Sequence, residues 1–155
     1  MKTFSQVRKY LSSIPSINSG GCVFAALFMK LWLEKNKNIS VPIIYTYMDN
    51  EDFERNDIVL NKISRVNPTS CKHALIKYNK AYIDCNSSRL RLRDLHHAID
   101  NISFIEKSVN QVEKWNDEFD RKLIKKMERD LSVKIPFKVK RRSIFTFLKN
   151  VIIIE

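Results

Sequence analysis

The sequence holds only two glycines and three cysteines among its 155 residues. Three cysteines do not form the even framework of a small secreted domain built on disulfides. No apolar run reaches the roughly 20 residues that a membrane-spanning helix needs. The first residues, Met1–Gln6, lack the continuous apolar stretch of a signal peptide. These absences favour a reducing, cytoplasmic compartment and no insertion into a membrane.

What the sequence has in excess is positive charge. Twenty-eight Lys and Arg residues stand against 17 Asp and Glu, which gives a formal net charge of +11. Such a charge favours acidic proteins or nucleic acid as partners, although it says nothing about the fold. The length is ordinary for one domain with its own core. We therefore expect a single domain over residues 1–155.

The two glycines are adjacent, and they run directly into a cysteine, as Gly20-Gly21-Cys22. Since glycine has no Cβ, both residues can take positive φ and let backbone amides approach a ligand. Apolar residues then recur with a helical period and predict a central helix, at positions 24, 27, 28, 31 and 32. With Asn18 or Ser19 as its N-cap, Cys22 lies in the first turn, where the helix dipole favours a thiolate.

Periodicity and turn residues predict the remaining elements. Short or medium helices are expected over 7–11, 58–66 and 92–99, and a long amphipathic helix over 109–131. A capping box at Ser108–Gln111 marks the start of the long helix. Strands are expected over 41–48, 71–78, 81–85 and 102–105, the second and third of these forming a hairpin.

The hairpin carries a histidine and an aspartate whose relation depends on the turn. If the turn is Asn79-Lys80, Leu75 faces Asp84 and His73 lies diagonal to it on the same face. If the turn is Tyr78-Asn79, His73 and Asp84 are directly opposite. Either turn leaves their Cβ atoms roughly 5–8 Å apart, whereas a three-residue turn separates them onto opposite faces.

These residues suit nucleophilic catalysis, which needs a nucleophile, a base and a group that orients the base. Cys22 is the expected nucleophile, His73 the base and acid, and Asp84 the orienting carboxylate. The expected oxyanion donors are the backbone N–H of Cys22 with the side chain of Asn18 or of Gln6.

Other interpretations of the same residues stay open. Cys22 could be a small buried apolar residue of a core helix, and Asp84 could simply begin the turn at 85–88. Soft metal ligands are present at Cys22, Cys71, His73, Cys85, His96 and His97. Structural zinc uses cysteine pairs spaced by two to four residues, and the sequence has none, so we expect no metal and no cofactor.

Gly-Gly-Cys followed by Phe-Ala-Ala-Leu at 24–27, and then His73-Ala-Leu-Ile-Lys-Tyr-Asn-Lys-Ala-Tyr-Ile-Asp84, resembles the papain-like cysteine peptidase superfamily. The likeness covers residues 16 to 87 and is strongest to small phage and bacterial members; transglutaminase-like proteins and arylamine N-acetyltransferases share the Cys, His, Asp order. It implies an α+β fold, with the Cys22 helix packed on an antiparallel sheet that carries His73 and Asp84. It also implies a core over 1–106 and a helical, basic extension over 107–155, acting on protein or peptide substrates. Ser16 stands where papain-type members have glutamine.

The C-terminal third has no counterpart in that superfamily. Lys134–Lys149 holds six basic residues and no acidic one, interleaved with phenylalanines. Basic and aromatic side chains together suit phosphate contacts and base stacking. The expected contacts to nucleic acid or an acidic protein are Lys138, Lys140, Arg141 and Arg142. A basic binding protein with an unused cysteine site is therefore the alternative to a cysteine hydrolase in a bacterial or phage-infected cell.

Overall fold

A computed structural model of the chain describes residues 2–17, 21–46, 73–90, 97–111 and 117–139. In these ranges the fold is mixed α+β. None of their helices is long and apolar enough to cross a membrane. The helices are α1 (Phe4–Ser12), α2 (Cys22–Lys37), α3 (Ile102–Gln111) and α4 (Asp117–Leu131), and the strands are β1 (Ile43–Thr46), β2 (His73–Tyr78), β3 (Ala81–Ile83) and β4 (His97–Ile99).

The four strands form one antiparallel sheet in the order β3-β2-β1-β4. All four residues of β1 are buried, as the β-branched and aromatic sequence of this segment predicts. Ile43 pairs with Ile76 of β2 on one side and with Ile99 of β4 on the other. Strand β1 is thus an interior strand, and β2 lies between β1 and the short edge strand β3.

Helix α2 is the centre of the core. It begins at Cys22, as the sequence predicts, and every residue from Cys22 to Lys30 is buried. The helix packs against the sheet through side chains such as Phe24 and Phe28, which are fully or almost fully buried. The buried cluster includes Ala74, Ile76 and Ile83, the alternating residues of the hairpin. Cys22 is therefore fixed at the end of a rigid, enclosed helix.

The N-cap of α2 differs from the prediction. The N-cap is Gly21, with φ −89° and ψ 0°, and no side chain caps the helix. Gly21 therefore does not use the positive φ that is open to glycine, and the prediction of Asn18 or Ser19 as the N-cap is wrong. Gly20, like Asn18 and Ser19, lies outside the described residues.

The segment 97–105 was predicted with the wrong element types. Residues 97–99 form strand β4 because β1 offers them a hydrogen-bonding edge, and this pairing overrides their local helical pattern. Residues 102–105 open helix α3 instead of a strand. Asn101 starts this helix by accepting the N–H of Phe104 on its side-chain oxygen, at 3.1 Å.

The expected capping box at Ser108 is also wrong, because Ser108 lies inside α3. It is buried, and its hydroxyl donates to the carbonyl of Phe104 one turn earlier, at 2.9 Å. Within the described residues, the long helix predicted over 109–131 corresponds to the last residues of α3 (Ile102–Gln111) and to α4 (Asp117–Leu131). Of the predicted apolar positions in this part of the chain, Met127 and Leu131 are buried and Leu123 is partly buried, while the buried Ile124 was not among the predicted positions.

Helix α4 and the residues after it pack against the first two helices. The hydroxyl of Tyr10 donates to the carboxylate of Asp130 at 2.8 Å, and Lys35 of α2 donates to the carbonyl of Ser132. Beyond α4, Val133 is buried and the partly buried residues alternate with exposed ones through to residue 139. The beginning of the basic C-terminal third is therefore part of the packed structure.

Candidate active site

The hairpin turn consists of Asn79 and Lys80. Tyr78 pairs with Ala81, and the two turn residues have φ of 49° and 61°. Two consecutive residues with positive φ are typical of a type I′ turn, whose twist matches the flanking strands. Of the two registers that the sequence left open, this is the one that puts His73 diagonal to Asp84 on a shared face.

His73 and Asp84 are joined by a hydrogen bond. The distance from Nε2 of His73 to Oδ2 of Asp84 is 2.9 Å. Asp84 follows β3 directly and is 9% exposed, so its carboxylate is largely shielded from water. The bond fixes the orientation of the imidazole and stabilises its protonated form.

The second oxygen of Asp84 holds the next turn. Oδ1 accepts the backbone N–H of Asn86 at 2.8 Å and that of Ser87 at 2.5 Å. The N–H of Asp84 in turn donates to the carbonyl of Ser87 at 3.1 Å. The sequence presents two alternatives for Asp84, namely to begin the turn or to orient His73. One carboxylate does both.

Burial by itself raises the pKa of Asp84. The hydrogen bond to His73 and the two N–H groups of Ser87 and Asn86 act in the opposite direction, and the net effect lowers the pKa of Asp84. A carboxylate that accepts several hydrogen bonds stays ionised even when it is shielded from water. Asp84 is thus a persistent negative charge beside His73.

Cys22 approaches the same imidazole from helix α2. Its side chain is near enough to the ring to raise the pKa of His73, and Cys22 is buried as the first residue of α2. Asp84 contacts Nε2 of the ring, so Nδ1 is the nitrogen that the carboxylate does not engage. One imidazole therefore lies beside both a thiol on α2 and a carboxylate at the end of β3.

The pKa of His73 is raised from 6.5 to about 9. The hydrogen bond to Asp84 is the largest cause and the hydrogen bond to Cys22 the second, and together they outweigh the lowering effect of burial. His73 is consequently protonated at neutral pH. An imidazolium beside a cysteine is the environment that stabilises a thiolate.

Gly21 allows the backbone before Cys22 to approach the preceding turn. A Cβ at this position would lie 2.6 Å from Cα and 2.8 Å from the carbonyl oxygen of Ile17. Both contacts are with backbone, so no side-chain rotation relieves them. Glycine is required here for close packing, and its left-handed conformational freedom is not used.

The residues predicted as oxyanion donors are not brought together by the described contacts. Asn18 lies outside the described residues. Gln6 lies in α1, where its side-chain oxygen accepts the N–H of Thr3 at 2.7 Å in a capping box at the helix start. The N–H groups of Cys22 and Val23 remain as candidates, because the first N–H groups of a helix lack intrahelical partners.

Two residues of the site region were not anticipated in these roles. Arg8 of α1 donates from Nε to the backbone carbonyl of Asp84 at 3.0 Å, a contact over 76 positions that no sequence pattern signals. Cys85 is buried, and burial followed by the Asp84 charge raises the pKa of its thiol to about 11. Cys22 and Cys85 are both reduced cysteines, and of the two only Cys22 is among the causes of the raised pKa of His73.

The other candidate ligands and contacts are only partly described. Cys71, His96, Lys140, Arg141 and Arg142 lie outside the described residues. Lys138 is described and exposed. Within the described ranges, no group of three or more His, Cys, Asp or Glu side chains is arranged to hold a metal ion.

Comparison of the chain with protein-family models, with curated proteins and with solved structures gave no match. The assignment of a function therefore depends on the geometry of Cys22, His73 and Asp84.

Proposed function

We propose that the protein is a papain-like cysteine hydrolase or acyltransferase that acts on amide or isopeptide bonds. The observation that supports the proposal most is the placement of His73, which is bonded to Asp84 at 2.9 Å and lies near enough to Cys22 for that thiol to raise its pKa. The three residues come from a helix start, a strand and a turn, and the order nucleophile, base and orienting carboxylate is that of a catalytic triad.

The reaction begins with attack of the Cys22 thiolate on the substrate carbonyl carbon, which forms a C–S bond and an oxyanion. The N–H groups at the start of α2 lie at the positive end of the helix dipole and suit that oxyanion. As the intermediate collapses, the C–N bond breaks and His73 gives its proton to the leaving amine. The product of this half-reaction is a thioester on Cys22.

The second half-reaction resolves the thioester. Neutral His73 takes a proton from water, whose oxygen attacks the thioester carbonyl and displaces Cys22 as the thiolate. Asp84 stays ionised throughout and stabilises the imidazolium that donates its proton in the first half-reaction and is formed again in the second. If an amine attacks in place of water, the same residues carry out transfer, and if the substrate is a side-chain amide, they carry out deamidation.

The thiol chemistry can be tested by iodoacetamide labelling, mapped to each cysteine by mass spectrometry between pH 5 and pH 9. We expect Cys22 to label in the native protein at neutral pH, because a histidine lies beside it, and Cys85, whose thiol pKa is raised by burial, to serve as the internal control that does not. His73→Ala should slow the labelling of Cys22 at neutral pH while leaving Cys85 unchanged. Labelling of Cys22 only after denaturation would contradict the proposal.

The bond specificity can be tested with a pooled peptide library incubated with the parent protein and with Cys22→Ala. Product masses separate peptide hydrolysis, deamidation and transfer to an added amine. Any of the three products, formed by the parent and lost in Cys22→Ala, supports the proposal. Fast thiol labelling without any product would restrict the conclusion to a reactive thiol and reject these substrate classes.

A second candidate function, binding of nucleic acid, is favoured by the exposed face of α4. Four exposed basic side chains follow one another at spacings of three, one and three residues, which places them on one side of the helix: Lys122, Lys125, Lys126 and Arg129. Exposed Lys134 and Lys138 continue the series after the helix. A groove of about 860 Å³ beside them also includes Lys35 of α2.

This basic face is remote from the thiol. Lys35 lies 13 positions after Cys22, or about 20 Å along the axis of α2. Binding of a fluorescent single-stranded 20-mer should therefore weaken steeply with salt and survive Cys22→Ala, but fall in Lys125→Glu/Arg129→Glu. Equal binding by the double variant would exclude the α4 face as the nucleic-acid site.

A further inference from the structure

Arg8 connects the first helix to the carboxylate-bearing end of the hairpin. Its Nε donates to the backbone carbonyl of Asp84 at 3.0 Å, in a partly buried position. The bond joins residues that are 76 positions apart. It reaches the backbone of Asp84 and leaves both carboxylate oxygens to His73 and to the turn.

The other restraints on Asp84 come from its own hairpin and turn. Oδ1 is held by the N–H groups of Asn86 and Ser87, the N–H of Asp84 bonds to Ser87, and Oδ2 bonds to His73 of the neighbouring strand. These bonds set the local shape of the turn. They connect the turn to the helix that carries Cys22 only through β2, which packs on that helix, and none of these bonds is a direct connection from residues 84–87 to a helix.

Arg8 supplies such a connection, because α1 is itself packed against α2. Val7 and Leu11 of α1 are completely buried. The ring of Phe4 stacks on Trp32 of α2 with the centroids 6.0 Å apart, and it meets Tyr78 of β2 edge-on at 5.3 Å. The guanidinium of Arg8 is therefore carried by a helix whose position is fixed against both α2 and the hairpin.

We propose that Arg8 is a positioning residue, which holds the backbone of Asp84 so that the carboxylate stays on His73. This inference rests on the proposed function of the triad. Arg8 acts through Asp84, because its hydrogen bond is to the backbone carbonyl of that residue. Among the described residues, Cys22 and Asp84 are the titratable groups that raise the pKa of His73, so a change in the Asp84 contact should change the pKa of the imidazole.

The test measures the pKa of His73 by NMR, from the ring carbon and proton shifts, together with the pH profile of Cys22 alkylation. Arg8→Met keeps an unbranched apolar stem and removes the donor. We expect it to lower the pKa of His73 by about one pH unit toward the reference value of ~6.5 and to shift the alkylation profile with it. Arg8→Lys restores a donor and a charge and should recover most of the parental value.

Two control variants separate positioning from charge and from stability. Lys9→Met removes the same charge from the next residue of α1, which is exposed, and should leave the pKa of His73 unchanged. Val7→Ala removes a completely buried side chain from α1 and should lower the melting temperature while keeping the Arg8 donor. If Val7→Ala shifts the pKa of His73 as much as Arg8→Met does, the role of Arg8 is only structural and the inference is overturned.

The outcomes also separate this inference from the proposed function. A parental His73 that titrates near 6.5, with Cys22 unreactive in the native protein, rejects the triad. A parental His73 near 9 that Arg8→Met leaves unmoved rejects only the role of Arg8. If Arg8→Met does not fold, Arg8→Gln is measured in its place against the same controls.

Discussion

Nε2 of His73 lies 2.9 Å from Oδ2 of Asp84, across a hairpin with a two-residue turn. Oδ1 of the same carboxylate holds the N–H groups of Asn86 and Ser87. The orientation of the imidazole and the shape of the following turn therefore depend on a single side chain. Different substitutions of Asp84 can therefore remove its effect on the imidazole alone or remove its support of the turn as well.

Asp84→Asn should separate the charge from the turn. An asparagine keeps a side-chain oxygen for the N–H groups of Asn86 and Ser87, whereas it removes the negative charge beside His73. We expect the pKa of His73 to fall by about one pH unit or more, because the carboxylate is the largest cause of its raised value. NMR titration of His73 measures the change.

Asp84→Ala is the matched variant, because it removes both roles. It should lower the pKa of His73 similarly and reduce the free energy of unfolding by a further ~1 kcal/mol, since the partly buried hydrogen bonds from the N–H groups of Asn86 and Ser87 lose their acceptor. Equal stability of the two variants in urea unfolding would show that the turn does not depend on the carboxylate.

The stability of the protein should fall in mild alkali through His73. Its pKa in the folded state, about 9, lies above the unfolded value of ~6.5. The contribution of the protonated imidazole is therefore fully present below pH ~6.5 and is lost as the pH rises through 9, with a size of roughly 1–3 kcal/mol. Urea unfolding at several pH values from 6 to 10 measures it.

His73→Gln is the control for this pH dependence. The variant should be less stable than the parent at pH 6 and should lose less stability between pH 6 and pH 10. A variant that follows the parental curve throughout would assign the alkaline loss to other groups.

Asp84 affects the stability at acid pH. Because its pKa is lowered in the folded state, its contribution to stability is present above pH ~3.9 and is lost as the pH falls below that value.

Gly21→Ala should destabilise the start of α2. The new methyl group would lie 2.6 Å from the Cα atom of Ile17, and backbone on both sides has to move, so we expect a loss of about 1–3 kcal/mol. Lys37→Ala, at the exposed far end of α2, should change the stability by no more than ~0.5 kcal/mol. Thermal unfolding compares the two, and an unchanged melting temperature in Gly21→Ala would contradict the close packing.

Lys30→Met should show how much a buried ammonium group contributes to the free energy of unfolding. Lys30 is 4% exposed, and its Nζ bonds to Asp100 at 2.9 Å, to Glu34 at 3.0 Å and to the carbonyl of Val41 at 2.9 Å. Burial alone lowers its pKa, but these acceptors outweigh that effect and raise it. Removal of the donor leaves the Val41 carbonyl unsatisfied and should cost about 1–3 kcal/mol.

The control for Lys30 is Lys37→Met, which removes an exposed lysine from the same helix. It should leave the free energy of unfolding within ~0.5 kcal/mol of the parent. If Lys30→Met is as stable as this control, the three acceptors are satisfied by water and the buried ammonium group has no net effect on stability.

The sequence predicted the features that depend on neighbouring residues. The helix from Cys22 and the strand within 41–48 follow from apolar periodicity, and the turn at Asn79-Lys80 was one of two registers consistent with alternation. It did not predict contacts between distant segments. The pairing of residues 97–99 with β1 and the bond from Arg8 to Asp84 both depend on tertiary structure. The helix over 102–111 was missed because Asn101 was not recognised as its cap.

The burial of α2 determines how a reagent can reach Cys22. Cys22 is only 8% exposed, and the eight residues after it are all buried, so little of its side chain is open to solvent. The width of an electrophile should therefore govern its rate of reaction more than its charge does. A slender reagent should react faster than a branched one of equal intrinsic reactivity.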